Sequence, residues 1–417
     1  MKLSDLKDIR WTLNHPELGT GPVTIESYSS PEYFAQMREK VFKKVWMATA
    51  KRVDEIPKPG DYFVETVDIT NDSIIIVRGL DGVIRGFHNV CKHRGTRVVN
   101  QDYGNVRGRF TCIYHGWSYG LDGKNILVTE KDMFFDTDKM EADLIPVAVD
   151  EWKGFIFFNL DPQPEETLAE YLGPELISLY EDYPFEQTTV RLSYNAHLDT
   201  SWPVMRDSQL EGYHLKYLHR RSAPGFMESE EAPSRHAWDF KLLGKHNSGS
   251  FYGNLAQITA ELPETAAIAT LANQTALRTS GPVENVPLEQ WSKGVNPTRT
   301  ANWFFDILYI FPNLHFVFLG PCAYIVHKMM PGEAHNKSSW NGRFFAPPVD
   351  TAGLAARWAV EYKKYRLRDL WREDGNTALG AQKSIDSGVF KLMYLQDQEL
   401  LIRHAEKVLN DMVHDQA

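Results

Sequence analysis

Four residues between positions 91 and 115 constrain this 417-residue chain more than any others: Cys91 and His93, a gap of 18 residues, then Cys112 and His115. Two thiols and two imidazoles can share one metal ion, but zinc patterns pair Cys with Cys and His with His. Two alternating Cys/His pairs suit a [2Fe-2S] cluster instead, with both thiolates on one iron and both imidazoles on the other. Neutral imidazoles raise the potential of such a cluster above that of an all-cysteine one, so the segment is suited to one-electron transfer. Two ligand loops that must meet over one cluster call for a rigid frame.

Periodicity supplies one. From about Trp46 to Leu160 short β runs alternate with turns: Tyr62 to Val67, Ser73 to Arg78, an Asp81-Gly82 hairpin, Val83 to Asn89, and Gly154 to Leu160. An all-β module with the cluster at two loop tips is expected. Ahead of it, Ser30 to Trp46 places Tyr33, Phe34, Met37, Val41, Phe42 and Val45 at three- and four-residue steps, which predicts an amphipathic helix. After Pro162 come acidic helices (Glu165 to Tyr183), strands near Val190 to Leu198, and the Trp202 to His219 segment. Ala256 to Glu284, rich in Ala, Thr and Pro, reads as an insertion or lid. Strands return at Trp303 to Met330 and Trp340 to Phe345, and from Leu354 the pattern is helical to the end. Strands followed by helices predict an α+β second domain. The expected division is therefore a cluster domain over 44-160 and a second domain built from 1-43 and 161-417.

Composition narrows the function classes. A net charge of -10 and a pI near 5.8 argue against a nucleic-acid partner. Of three cysteines two are assigned to iron, leaving Cys322 as a small buried hydrophobe. With no disulfide framework, and Met1 to Asp5 too polar for a secretory signal, a cytoplasmic location is expected. The most apolar stretch, Trp303 to Met330, is interrupted by Asp306, Pro312 and His315 and reads as paired strands rather than a membrane span. No Gly-rich dinucleotide loop follows a strand, so a nicotinamide cofactor must be oxidised on another protein.

A second metal constellation lies at Glu211-Gly212-Tyr213-His214 and His219. Histidines five apart at the end of a helical run cannot share one straight helix face, so the last turn must loosen for both to reach one ion. Two histidines and a distant carboxylate form the facial triad of non-haem ferrous sites, which leaves positions open for oxygen and substrate. Two carboxylates compete for the third place: Asp374 in Glu373-Asp374-Gly375, and Asp397 in what reads as a terminal amphipathic helix.

The flanking residues carry a resemblance. Phe87-His88-Asn89-Val90 leads into Cys91, Arg94-Gly95 follows His93, and Gly116-Trp117-Ser118-Tyr119 follows His115. This resembles the Rieske domain of ring-hydroxylating oxygenases. From the leading helix through Phe311-Pro312-Asn313-Leu314-His315 to the last helix, the chain is similar to the alpha, catalytic subunit of Rieske non-haem iron oxygenases. The resemblance implies a helix-grip (START-like) catalytic domain of antiparallel sheet and helices. Cys91, His93, Cys112 and His115 would bind the cluster, and His214 and His219 would bind Fe(2+) with Asp374, which matches the family's Glu-Asp pattern with a trailing Gln (Gln382). Glu211 would bridge a neighbouring subunit's cluster histidine to this iron's histidine, where many relatives have Asp. Trp117 stands where high-potential relatives have a serine donor, which implies a lower potential.

The same resemblance implies a terminal oxygenase that activates O2 with electrons from NAD(P)H, delivered by a separate flavin reductase with or without a ferredoxin. Its assembly would be a homotrimer, alone or with a small beta subunit, in which head-to-tail packing brings each cluster to the next subunit's iron. The expected substrate is an aromatic small molecule, mono- or cis-dihydroxylated, clasped by rings such as Phe226, Trp238, Phe240, Phe251, Tyr252, Trp303, Phe304, Phe305 and Phe316. A quaternary ammonium or other non-aromatic substrate of a monooxygenase is the alternative. Asp207-Ser208-Gln209 and Ser201-Trp202-Pro203 replace the family's usual Glu-Asn-Phe and Asn-Trp-Lys, a departure that bears on substrate class. Outside catalysis, an electron-transfer protein or a degenerate structural subunit would share these motifs.

Overall fold

The computed structural model describes residues 9-219, 222, 236-253, 286-348 and 353-415. It divides into two compact units, Arg38–Tyr171 and Met1–Met37 with Leu172–Ala417. The proposed insertion Ala256 to Glu284 and Phe226 lie outside the described residues. Among those described, no helix is long and apolar enough to cross a membrane.

The first unit is built on strands β1 (Met47–Arg52), β2 (Asp61–Val67), β3 (Asp72–Arg78), β4 (Ile84–His88), β5 (Tyr103–Asn105), β6 (Arg109–Thr111), β7 (Ser118–Gly120), β8 (Asn125–Leu127), β9 (Pro146–Trp152) and β10 (Phe155–Asn159). Seven form an antiparallel sheet in the order β1-β10-β9-β4-β3-β2-β5, and β6-β7-β8 make a smaller one. Strand β3 is buried from Ser73 to Val77 without alternation because its Ile-Ile-Ile-Val run is covered on both faces. The hairpin after it turns at Gly82, whose φ of +83° is a glycine conformation. One ligand loop follows β4 and the other joins β6 to β7. Tyr62, Ile75, Val77, Phe87, Phe110, Trp117 and Tyr119 form the core beneath both loops, and Cys91 and Cys112 belong to it.

The second unit carries β11 (Thr189–Leu198), β12 (Ala237–Leu243), β13 (His246–Tyr252), β14 (Trp303–Ile310), β15 (Leu314–Phe318), β16 (Tyr324–Pro331) and β17 (Ser338–Ala346). They form one antiparallel sheet in the order β11-β17-β16-β15-β14-β13-β12. The apolar stretch read as paired strands is β14 to β16, and Cys322 lies buried between β15 and β16. Helices α1 (Pro31–Met37), α2 (Trp202–Asp207), α3 (Leu215–Leu218), α4 (Gly353–Asp386) and α5 (Leu400–Val413) accompany the sheet. Helix α2 touches β16 and β17, α4 touches β11, and α5 touches β12 and β13. In α5, Leu401, Ala405, Leu409 and Val413 form a buried stripe at four-residue steps. A mixed α+β architecture with an antiparallel sheet and helices is what the strand-then-helix pattern implied.

Two details differ from expectation. The C-terminal region is not helical throughout: α4 ends near Gly388, at φ +71°, and Leu392–Met393 then pair with Val23–Thr24 before α5 begins. The leading helix is α-helical only to Met37 and continues as a π-helix from Arg38 to Phe42, which keeps Val41 and Phe42 both buried.

Helix α2 is anchored by a buried ionic cluster. Arg206, fully buried, pairs with Asp207 at 2.7 Å and with Glu406 of α5; Tyr28 donates to Asp207, and Ser27 donates to Glu406 at 2.8 Å. Removing one member of a buried pair leaves a charge without its counter-ion, a loss of about 3–5 kcal/mol. Arg206→Leu is expected to lower unfolding stability by about that amount in chemical denaturation, with Asp207 and Glu406 left facing each other.

Candidate metal centres

The two cluster loops are built alike. Gly95 N–H donates to Cys91 C=O at 2.9 Å and Gly116 N–H to Cys112 C=O at 3.0 Å, and both glycines sit at φ +77°. Each loop thereby folds back on its own cysteine, a turn that a side chain at the glycine would strain. The first loop is further clamped by buried Asn89. Its carbonyl accepts from the N–H groups of Val98 (2.8 Å) and Val99 (3.0 Å), while its amide donates to Val99 C=O (2.8 Å) and Ser73 Oγ (3.2 Å). The histidine rings meet with centroids 4.5 Å apart, and His93 stacks on Trp117 at 5.1 Å.

The donor set fits a mixed-ligand cluster. Both thiols are buried, burial pushes the Cys112 thiol up with Cys91 beside it, and Nδ1 of His93 is buried with no hydrogen-bond partner. Tyr119 adds a feature the flanking motif did not suggest. Its hydroxyl accepts the Lys92 N–H at 3.1 Å and lies 3.2 Å from Cys91 Sγ. With the oxygen already accepting, its proton is free to point at the sulfur. Trp117 lacks the serine's hydroxyl, but Tyr119 brings another donor to the sulfur.

In the second unit Nε2 of His219 lies 3.2 Å, and Nε2 of His214 3.7 Å, from Oδ1 of Asp374. One ligand atom from each of these three residues falls within 4.8 Å of the others. The helical run expected ahead of the histidines ends at Asp207 with α2, and the short helix α3 lies between them: His214 precedes its first residue and His219 follows its last. The Glu211 carboxylate explains this, since it accepts from the backbone N–H groups of Tyr213 and His214 and so starts the turn. One short helix with a histidine at each end lets both rings face one point, 5.1 Å apart.

Each outer nitrogen has its own carboxylate. Nδ1 of His214 bonds Glu211, and Nδ1 of His219 lies 2.8 Å from Glu373, which also accepts from Ser222 at 2.5 Å. A carboxylate on the far nitrogen holds a histidine's tautomer and orientation and makes the inner nitrogen the better donor to a metal. Oδ1 of Asp374 is buried with no hydrogen-bond partner, while Oδ2 takes a long bond from Gln209 at 3.4 Å. A buried carboxylate oxygen without a donor is costly unless a cation faces it, so the set fits a divalent ion. The nearby imidazoles and Gln209 outweigh burial and hold the Asp374 carboxyl below its usual range.

Asp397 is elsewhere. Its two oxygens accept the backbone N–H groups of Trp11 and Thr12, both at 2.8 Å. Glu373 and Gln209 were not anticipated as partners of the site. Glu373 had a local signal, since it adjoins Asp374 in sequence, but Gln209 is brought in only by the fold.

His214 supplies a pH test. Burial works against its charge, but Glu211 and Asp374 prevail and push the imidazole up to about 9. In metal-free protein the ring therefore carries a proton at neutral pH that a metal must displace. Ferrous-ion affinity is expected to rise about tenfold per pH unit between pH 7 and 9 and to level off above. Calorimetry in buffers of different ionisation enthalpy should find about one proton released per ion. Glu211→Gln should flatten the slope, because it removes the charge that holds the proton.

Residues 185–415 match the family described as ring hydroxylating alpha subunit (catalytic domain), and residues 46–135 match the Rieske [2Fe-2S] domain. The chain is 32% identical over 204 residues to the carnitine monooxygenase oxygenase subunit of Acinetobacter pittii, covering 48% of this chain and 52% of that protein. It is 34% identical over 210 residues to the glycine betaine monooxygenase oxygenase subunit of Chromohalobacter salexigens, covering 49% and 44%. The chain thus spans about half the length of the curated relatives it matches. Its fold resembles naphthalene 1,2-dioxygenase from Rhodococcus sp. bound to indole, with a TM-score of 0.73, 19% identity, and coverage of 100% of this chain and 99% of that one. With the catalytic-domain match spanning more than half of its length, the chain belongs to the ring-hydroxylating oxygenase alpha-subunit family and carries a Rieske [2Fe-2S] domain.

Proposed function

We propose that the chain is the terminal oxygenase of a multicomponent system. Residues 44-160 receive electrons at a [2Fe-2S] cluster held by Cys91, His93, Cys112 and His115. Residues 1-43 and 161-417 use them at a ferrous ion held by His214, His219 and Asp374. The observation that carries this reading is the convergence of two imidazole Nε2 atoms on one buried carboxylate oxygen, in a chain with a Rieske domain. When bound, the iron supplies oxygen activation, and three protein ligands leave room for O2 and substrate. Glu211 and Glu373 fix the rings with Nε2 inward, and Gln209 occupies the outer oxygen of Asp374. Glu211 is also the bridge to a neighbouring subunit's cluster histidine in a homotrimer, alone or with a small beta subunit. A separate NAD(P)H-dependent flavin reductase, with or without a ferredoxin, is the electron source. The convergence of His214, His219 and Asp374 on one point argues against a degenerate subunit.

The substrate we infer is a small quaternary ammonium compound that is hydroxylated or demethylated, in place of the aromatic ring expected first. The matches to carnitine and glycine betaine monooxygenase oxygenase subunits support this class. So does Glu211 at the bridging position, a residue that relatives acting on such compounds share. The aromatic clasp also loses its members to the interior. Phe251 stacks on Phe305 at 4.8 Å with Phe240 edge-on at 6.0 Å, Trp238 packs on Tyr252, and Trp303 and Phe316 are buried in their strands.

The reading is tested with iron and acid-labile sulfide per chain in anaerobic protein, followed by substrate-dependent O2 uptake with a surrogate reductase. Trimethylammonium carboxylates are expected to couple O2 uptake to their own loss, whereas aromatic carboxylates should not; the reverse result restores the aromatic substrate. Wild-type protein should hold about three irons and two sulfides, and Asp374→Ala about two of each. Full mononuclear iron in Asp374→Ala rules out that ligand. Tyr119→Phe should leave the cluster assembled but lower its potential, because a donor to a ligand sulfur stabilises the reduced state. A tenfold change in that equilibrium is about 59 mV for one electron, readable by redox titration of the cluster's visible spectrum.

A further inference from the structure

Beside the candidate iron site an unbroken run of oxidisable rings leads to the edge of the sheet. Trp371 lies one turn before Asp374 on α4, at the three-residue spacing that places side chains on one helix face. It is buried, with ring centroids 5.3 Å from His327 and 6.1 Å from Trp340; Trp340 Nε1 donates to His327 Nδ1 at 3.0 Å. On its other side Trp371 meets Tyr194 at 6.4 Å. Tyr194 is half-buried on β11, the edge strand of the seven-stranded sheet. Gly342 on β17 makes room for the indole, since a Cβ there would stand 2.9 Å from Trp371.

Packing alone would be met by aliphatic side chains in these places. The rings present are instead two indoles and a phenol, the side chains that lose an electron most readily, tilted against one another from the carboxylate helix to a half-buried phenol. We propose that Trp371 and Tyr194, with Trp340 beside them, conduct oxidising equivalents away from the iron site when it meets peroxide without substrate. This rests on the ferrous-site reading above and adds a protective function to it.

The step balances. Hydrogen peroxide takes up two electrons and two protons to give two waters. Ferrous iron supplies one electron. The other comes from Trp371, which is refilled by Tyr194, and Tyr194 releases its phenolic proton. The net change is peroxide, ferrous ion, tyrosine and one proton converted to two waters, ferric ion and a tyrosyl radical. A solution reductant such as ascorbate then returns an electron, with a proton from water, to Tyr194. Without the route the nearest donors are the ligands themselves, His214 and His219.

The test uses full-length protein whose mononuclear iron content has been measured and whose cluster is oxidised, so that the cluster has no electron to give. One equivalent of hydrogen peroxide is added without substrate, and the sample is frozen for EPR or digested for peptide mass spectrometry. Wild type is expected to show a tyrosyl radical and little oxidised His214 or His219. Tyr194→Phe should replace that signal with an indole radical. Trp371→Phe should lose the tyrosyl signal and oxidise the two histidines several-fold more. The proposal is overturned if iron turns ferric in wild type with no organic radical, or if histidine damage is the same in Trp371→Phe. Tyr194→Phe perturbs only a half-buried position, so an unchanged tyrosyl signal in that variant also overturns it even where Trp371→Phe fails to fold. Absence of mononuclear iron in wild type would appear before peroxide is added, and it brings down the ferrous-site reading together with this one.

Discussion

The catalytic unit is organised around a carboxylate oxygen buried without a hydrogen bond. Burying an anionic oxygen is costly unless a cation or donors meet it, so the surroundings of Asp374 Oδ1 must hold their positions. Each neighbour is secured from behind. Glu211 holds one histidine and Glu373 the other, and Gln209 occupies the outer oxygen of Asp374 itself. Helix α4 delivers Asp374 and Glu373 together, one facing the site and the other reaching the far nitrogen of His219. Helix α2, which leads into the Gln209 turn, is tied to α5 through Arg206 and Glu406. Charge pairing away from the site therefore sets the geometry at it.

The cluster unit uses backbone rather than charge. Two loops of different sequence close by the same glycine-to-cysteine bond, and Asn89 clamps the first loop through four hydrogen bonds. Rigid loops suit a centre that changes only its charge, because little has to move when an electron arrives. The Tyr119 hydroxyl, 3.2 Å from Cys91 Sγ, stands where a donated proton would stabilise that electron. Its placement depends on Tyr119 lying on β7, directly after the loop it serves.

Local patterns in the chain foretold most of the strands, the hairpin at Gly82, the terminal amphipathic helix and the paired strands from Trp303 onward. These are legible because alternation and four-residue spacing are properties of short windows. The same windows misjudged the stretch after Asp386, where the Leu392–Met393 ladder depends on Val23–Thr24 at the far end of the chain. The helical run expected ahead of the histidines is split in two, Trp202–Asp207 and Leu215–Leu218, with a carboxylate from Glu211 turning the chain between them. The aromatic residues read as a clasp were recognised as a group, but their mutual packing was invisible without the sheet register.

By itself the sequence determined the identity of the metal donors on offer: four Cys/His residues at fixed spacing, a histidine pair five apart, and two competing aspartates. Such chemistry is carried by residue type and local spacing. Only the tertiary structure brings Asp374 to the histidines and engages Asp397 with the backbone of Trp11 and Thr12. Only it supplied the partners of His219 and Asp374, because Glu373 meets His219 across 154 positions of chain and Gln209 meets Asp374 across 165. Contacts at that separation follow from how sheet and helices pack, and no local pattern encodes them.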